Sequence, residues 1–236
     1  MLPLTLALAL ALAPDSSLYN TVLIQAAPGR LNETIEYLQS RLPAYDAAGE
    51  QRPVLMRHSQ GDHWDLMLLV PMGRSMGEYF APARASARER AGLGAAHEAK
   101  LRELAQWREE TVVTGAPLET VRALVGANGY VHIEMFIAMG GRQAALHKER
   151  EMENAMLAAT GQPVNLIFDR VFGGAWDSYT IGFFRDLKHY AEGSKGSATD
   201  DEAAARAAGF ASRAAVAQSL RELISSHHDT LAGIVK

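Results

Sequence analysis

The sequence predicts an α+β protein built from two tandem copies of one strand-helix-hairpin-helix unit, packed sheet to sheet. Three observations carry that prediction. Short segments recur in a fixed order along the chain. Each copy passes through the same succession of strand-like and helix-like periodicities. The composition is that of a globular protein: 236 residues, 48% hydrophobic, 21% charged, no cysteine, and a formal net charge of −4. It excludes collagen-like, disulfide-stapled and disordered chains, and with them any cysteine-ligated metal or thiol nucleophile.

The recurrence is specific. Gly61-Asp62-His63-Trp64-Asp65 returns as Gly173-Gly174-Ala175-Trp176-Asp177, 112 positions on, and Gly29-Arg30 returns as Gly141-Arg142 at the same spacing. Pro53-Val54 is matched by Pro163-Val164, Glu78-Tyr79 by His189-Tyr190, and Gly92-Leu93 by Gly209-Phe210. Leu101-Arg102-Glu103-Leu104 is matched by Leu220-Arg221-Glu222-Leu223. Nine residues after the first Leu of each comes an acid and a threonine, Glu110-Thr111 and Asp229-Thr230. A period this long belongs to whole domains rather than to solenoid repeats. The expected division is a first copy over 16–116, a linker over 117–128 and a second copy over 129–236.

Thr21 to Ala26 is a short apolar strand, ended by Pro28-Gly29. Leu31, Ile35, Leu38 and Leu42 then fall at helical spacing. Val54 to His58 and Trp64 to Val70 are strands joined across a polar turn containing Gly61. Ala95 to about Glu110 reads as a helix, with Val112-Val113 as a last short strand. Leu118 to Val125 reads as a short helix in the linker. In the second copy Tyr130 to Ala138 is a strand, and Met152, Ala155, Met156 and Ala159 mark a helix. Val164 to Phe172 and Trp176 to Phe184 form the hairpin across Gly173-Gly174. Glu192 to Thr199 is a polar loop. Asp201 to Ala208 and Ala211 to about His227 are expected as helices.

Leu2 to Ala13 runs twelve residues without a charge. A membrane-spanning helix needs roughly 20 apolar residues. The run instead fits the apolar core of a secretory signal peptide, with small-residue cleavage sites at Ala9-Leu10-Ala11 and Ala11-Leu12-Ala13. Residues 1–15 are therefore expected to be a signal peptide and the protein periplasmic or secreted. Read as an apolar N-terminus that stays attached, the same run leaves the protein cytoplasmic. No other stretch is long and apolar enough for a membrane span.

Strand-helix-strand-strand-helix with a fourth strand is the ferredoxin-like pattern. Helices cover one face of such a sheet, so the second copy is the economical cover for the other. With Trp64-Asp65 and Trp176-Asp177 marking the two copies, the chain resembles the dimeric α+β barrel superfamily. That group includes NIPSNAP-type proteins, antibiotic-biosynthesis-type monooxygenases, muconolactone-isomerase-like enzymes and haem-handling members. The resemblance covers about residues 19 to 236 and rests on element order and duplication, so it assigns no catalytic residue. It implies a small apolar or aromatic ligand and, for an enzyme, proton transfer or oxygenation without a bound nucleotide. It equally leaves open a non-catalytic carrier, with haem held by His132 or a helical histidine, or an interaction module whose centre is filled by its own side chains.

On the strand Tyr130 to Ala138, Val131, Ile133, Met135 and Ile137 alternate with His132, Glu134 and Phe136. If the aliphatic side meets the helices, His132 and Glu134 enter a central cavity about 6–7 Å apart along the strand. An imidazole beside a carboxylate serves as general base and orienter, or as two metal ligands. Thr21, Leu23 and Gln25 are expected on the matching side of the first copy. Phe136, Arg57 or His58, and Arg170 or its neighbour Asp169 are the expected ligand contacts, one of each adjacent pair facing inward. Trp64 and Trp176 read as packing residues. His227-His228-Asp229 is expected to close the last helix, where the dipole favours histidine. His147 and Glu151 are spaced to pair across a helical turn, and Glu149 is a secondary site candidate.

No P-loop, His-Glu-x-x-His or Gly-x-Ser-x-Gly motif is present. The third strands, WDLMLLVPM and WDSYTIGFF, lack the basic and aromatic signature of RNA-binding ferredoxin-like domains, and a net charge of −4 offers nucleic acid no electrostatic footprint. A small molecule is the expected partner.

Overall fold

The computed structural model describes residues 16–193 and 197–236. The expected signal peptide and three residues of the polar loop lie outside the described residues. The first half runs β1 (Ser17–Ala26), α1 (Leu31–Ala47), β2 (Val54–Gln60), β3 (Leu66–Gly73), α2 (Met76–Tyr79), α3 (Pro82–Arg90), α4 (Ala95–Leu104) and β4 (Ala105–Gly115). Helix α5 (Leu118–Ala127) leads into β5 (Tyr130–Ala138), α6 (Gln143–Ala159), β6 (Leu166–Gly173), β7 (Ser178–Phe184), α7 (Leu187–Ala191), α8 (Ala198–Ala207), α9 (Ala215–Arg221) and β8 (Ile224–Val235).

The eight strands form one closed barrel in the order β1-β3-β2-β8-β5-β7-β6-β4. Every neighbouring pair is antiparallel. Each half contributes four adjacent strands in one order, β4-β1-β3-β2 and β8-β5-β7-β6. The halves meet at two seams, β2 with β8 and β4 with β6. Closure leaves no free sheet edge among the described strands.

The recurring segments Gly61 to Asp65 and Gly173 to Asp177 tie strands within each half through the aspartate and press on these seams through the glycine. The Ala26 amide donates to Asp65 Oδ2 at 2.8 Å, and the Ala138 amide donates to Asp177 Oδ2 at 2.9 Å. The Asp65 amide donates to the Ile24 carbonyl, and that of Asp177 to the Phe136 carbonyl. Gly61 and Gly173 begin the two turns with positive φ, 118° and 84°, and each presses on the opposite half. A Cβ on Gly61 would stand 2.0 Å from the Asp229 carbonyl oxygen, and one on Gly173 would stand 2.6 Å from that of Glu110. Only glycine accepts both the conformation and the approach.

The barrel interior is the main core. Tyr19, Leu23, Met56, Trp64, Met67 and Val113 of the first half pack there against Val131, Ile133, Met135, Phe168, Tyr179 and Ile181 of the second. Tyr179 stacks on Phe168 at 4.8 Å and shares a 2.6 Å hydrogen bond with Thr21 across the barrel. Outside the barrel, Leu38 of α1 and Leu101 of α4 cover Val22, Ile24, Leu55 and Leu68. On the other side Leu146 of α6 and Leu220 of α9 cover Phe136.

Two expectations are corrected here. The aliphatic side of β5 faces the interior and not the helices, so His132, Glu134 and Phe136 lie on the helix side. An interior walled by two sheets excludes water in every direction, whereas a helix-covered face has clefts between helices that tolerate charge. In the first half Asn20 and Val22 accordingly correspond to His132 and Glu134, and Thr21 and Leu23 face inward. The last helix of each half is also shorter than expected. Helix α4 passes directly into β4 at Ala105, and α9 into β8 at Ile224, so His227, His228 and Asp229 lie on a strand. Pairing with the neighbouring strands overrides the helical propensity of Arg108-Glu109-Glu110.

Candidate functional site

Inside the barrel, the cavity beside Thr21, Met135, Trp176 and Tyr179 holds about 10 Å³. Trp64 is fully buried and Trp176 nearly so, in keeping with the packing role expected of them. Room for a ligand lies between the sheet and the helices of each half.

In the first half a cavity of about 370 Å³ opens above β1, β3 and β4. Val22, Ile24, Leu68 and Val70 form its apolar floor, and Tyr45, Tyr79 and Phe80 line its wall. Its polar edge is a chain of contacts. Asn20 Nδ2 donates to Glu110 Oε2 at 2.6 Å, and Arg108 bridges Glu110 at 2.7 Å and Glu98 at 2.6 Å. Asn20 Oδ1 and Arg108 Nε are buried without a protein partner. His97 of α4 lines the cavity with Nδ1 2.8 Å from the Tyr37 hydroxyl, and burial lowers its pKa, favouring the neutral ring. Burial likewise raises the Tyr45 and Tyr79 hydroxyls, so both stay protonated.

In the second half the corresponding places hold different chemistry. His132 Nε2 lies 3.2 Å from Asp229 Oδ1, and His227 Nε2 lies 2.9 Å from Asp229 Oδ2. The hydrogen bond from His132 is the main cause holding Asp229 below the usual carboxylate range. Glu134 accepts from the Thr180 hydroxyl at 3.2 Å and lies 3.7 Å from the buried Arg150 guanidinium. Arg150 also pairs with Glu149 and Glu153 of α6, whose carboxyls burial pushes up. Two cavities flank this cluster. One of about 290 Å³ touches His132, Glu134, His189 and Tyr190; one of about 340 Å³ touches Glu134, Arg150, His227 and Asp229.

The remaining predicted residues are scattered. Phe136 is fully buried on the helix side, with its ring parallel to His227 and beneath Arg150. Arg57 is exposed on β2, while His58 turns to the barrel side beside Trp64, its Nε2 buried and unpartnered. Arg170 sits at the barrel rim, bonded to Asp177, and Asp169 turns to the helix side and meets His147 Nδ1 at 2.6 Å. His147 also reaches Glu151 at 3.6 Å. Thus His132 and Glu134 share a cluster, and Arg57, His58 and Arg170 do not join it. Sequence reasoning missed His227 and Asp229 as site residues. The signal was present: Asp229-Thr230 repeats Glu110-Thr111, and alternation on a strand puts 227 and 229 on one face.

No family model matches the chain, and no curated protein matches its sequence. Solved structures do match in shape. An anthrone oxidase-like protein superimposes with a TM-score of 0.60 at 10% identity, covering 94% of this chain and 92% of that one. A candidate monooxygenase from Fusobacterium nucleatum gives 0.56 at 7% identity, covering 95% and 94%. A candidate chlorite dismutase gives 0.53 at 13%, covering 93% and 95%. The chain has the dimeric α+β barrel fold. In this α+β barrel both halves belong to one polypeptide, and at such identities the likeness speaks for the fold alone. The cavity beside His132 does not fit haem, since Glu134, Glu153 and Glu192 line it and would oppose an anionic porphyrin.

Proposed function

We propose that the protein binds a small, flat, largely apolar molecule bearing an acidic or carbonyl oxygen in the first-half cavity. We read it as a nucleotide-independent enzyme that deprotonates this molecule, with O₂ as oxidant where oxygenation follows. The cavity itself carries the reading. Its volume and its aliphatic floor, aromatic wall and short polar edge are those of a small-molecule pocket. Arg108 pairs through its Nη atoms with Glu98 and Glu110 and offers its unpartnered Nε–H to a developing oxyanion, and the neutral His97 ring is the proton acceptor on the facing helix. Oxygenation is proposed as the reaction class after the candidate monooxygenase and the anthrone oxidase-like protein, with which the chain shares its fold alone. Export is part of the proposal and rests on the uncharged run Leu2 to Ala13; N-terminal sequencing from the natural host should find a start after Ala11 or Ala13.

Titration with a hydroxylated anthrone, followed by fluorescence and by oxygen uptake, tests the reading. Saturable binding is expected, weakened about tenfold, ~1.4 kcal/mol, by Phe80→Ala, which removes an exposed wall ring. Arg108→Gln should lower turnover more than binding. Binding indifferent to both substitutions would remove the cavity from consideration. Binding without turnover would make the protein a carrier.

A further inference from the structure

The geometry points to a divalent metal site in the second half, with Glu134, His227 and Asp229 as ligands and His132 and Thr180 as the groups that orient them. It is separate from the first-half cavity and stands or falls without it.

Four observations converge on this site. First, one ligand atom from each of Glu134, His227 and Asp229 lies within 4.8 Å of the others, the reach of a single ion's coordination sphere. Second, the ligands are held from behind. His132 Nε2 contacts Asp229 Oδ1, Thr180 donates to Glu134 Oε2, and the His227 ring lies parallel to Phe136 at 5.8 Å. Outer partners that fix carboxylates and imidazoles in this way are what a metal site requires. Third, carboxyl groups crowd the cluster. Glu134, Glu149 and Glu153 share the buried guanidinium of Arg150, Asp229 adds another carboxylate, and Glu149 Oε1 is buried with no protein partner. Arg213 and Arg221 line the adjoining cavity and offset part of that charge, and a dication among the ligands would offset the rest.

The fourth observation comes from the duplication. The first-half equivalents of His132, Glu134, His227 and Asp229 are Asn20, Val22, Arg108 and Glu110. The strand registers agree, with Val22 opposite Glu110 and Glu134 opposite Asp229. On one scaffold, the first half places an amide, an alkyl group and a guanidinium around one carboxylate, which no cation would enter. The second half has metal-ligating side chains at all four places.

One imidazole and two carboxylates form a borderline-to-hard donor set, suited to Zn²⁺, Mn²⁺ or Fe²⁺ ahead of Mg²⁺. All three ligands line the 340 Å³ cavity, so coordination positions remain for water or a ligand atom. Arg213 and Arg221 line the same cavity and favour an anionic oxygen donor there.

The test uses the full chain, freed of metal by chelation and titrated with Zn²⁺ by calorimetry and with Co²⁺ by visible absorption. One equivalent should bind, and Co²⁺ should develop the absorption bands of a protein-bound ion. Glu134→Val with His227→Arg, which installs the first-half residues, should weaken binding at least hundredfold. The near-isosteric Asp229→Asn should weaken it at least tenfold. His63→Gln, an exposed histidine outside the cluster, should bind as the parent does. Circular dichroism identifies any variant that has failed to fold, and Asp229→Asn then decides. Absence of a saturable site in the parent, or parental affinity in the folded variants, would overturn the assignment.

Discussion

The two helix-covered faces of the barrel share one strand order and differ at the places that matter for chemistry. In the first half the carboxylate of Glu110 is tied to Asn20 and Arg108 at the edge of an aromatic-lined cavity. In the second the carboxylate of Asp229 is held between His132 and His227, with Glu134 in place of an aliphatic neighbour. The interior has not diverged in this way. It is mainly apolar on both sides, with Thr21, His58 and Tyr179 as its polar exceptions, because a charge placed there by either half would be buried against both. Each outer face answers only to its own helices. The interior is therefore the shared scaffold, and the outer faces carry the differences.

The largest expected effect tests the shared interior. Trp64→Ala and Trp176→Ala should each cost about 3–5 kcal/mol in urea denaturation. A much smaller loss for one would mean that the interior is not built equally by the two halves. Next come the crossing points: Gly61→Ala should destabilise by about 1–3 kcal/mol, and Gly173→Ala by less, following the closer approach at Gly61. Equal or negligible losses would show that the seams yield. Asp65→Ala and Asp177→Ala remove matching bonds to strand amides, and each should cost about 1–2 kcal/mol by the same measurement.

The smallest effect separates the halves by pH. His147 in the second half has its pKa raised above 6.5, chiefly by the Asp169 hydrogen bond. Its contribution to stability is fully present below that value and fades as pH rises through the folded pKa. His97 in the first half is lowered from 6.5 by burial. Its contribution is present above that value and is lost as pH falls through the folded pKa. Denaturation midpoints between about pH 5 and 8 should therefore tilt in opposite directions for His147→Gln and His97→Gln relative to the parent. Parallel tilts would contradict the two assignments.

Much of this architecture was legible from the repeats. Gly61-to-Asp65 and its copy located both hairpins, because a positive-φ glycine and an Asp that caps a neighbouring strand leave little choice of residue. The helix-to-strand junctions at Leu104 and Leu223 were hidden, since no glycine or proline marks them and the following residues suit a helix. Reading β8 as helix concealed His227 and Asp229. The face of β5 was misjudged because alternation separates two sides without saying which one is inward. The 112-residue spacing aligns Ile133 with Thr21 and Met135 with Leu23, but choosing the inward side requires knowing that the barrel centre is filled. The cavities, lined by α1 to α4 in the first half and by α6, α7 and α9 in the second, have no sequence pattern of their own.

One diffraction experiment bears most directly on the divergence of the two faces: anomalous scattering at the zinc edge from a crystal of the full chain grown with Zn²⁺ and a hydroxylated anthrone. The predicted map has a zinc peak among Glu134, His227 and Asp229, none beside Glu110, and the flat ligand over Val22 and Leu68 against Arg108. Zinc at Glu110 as well, or the organic ligand inside the barrel, would contradict it.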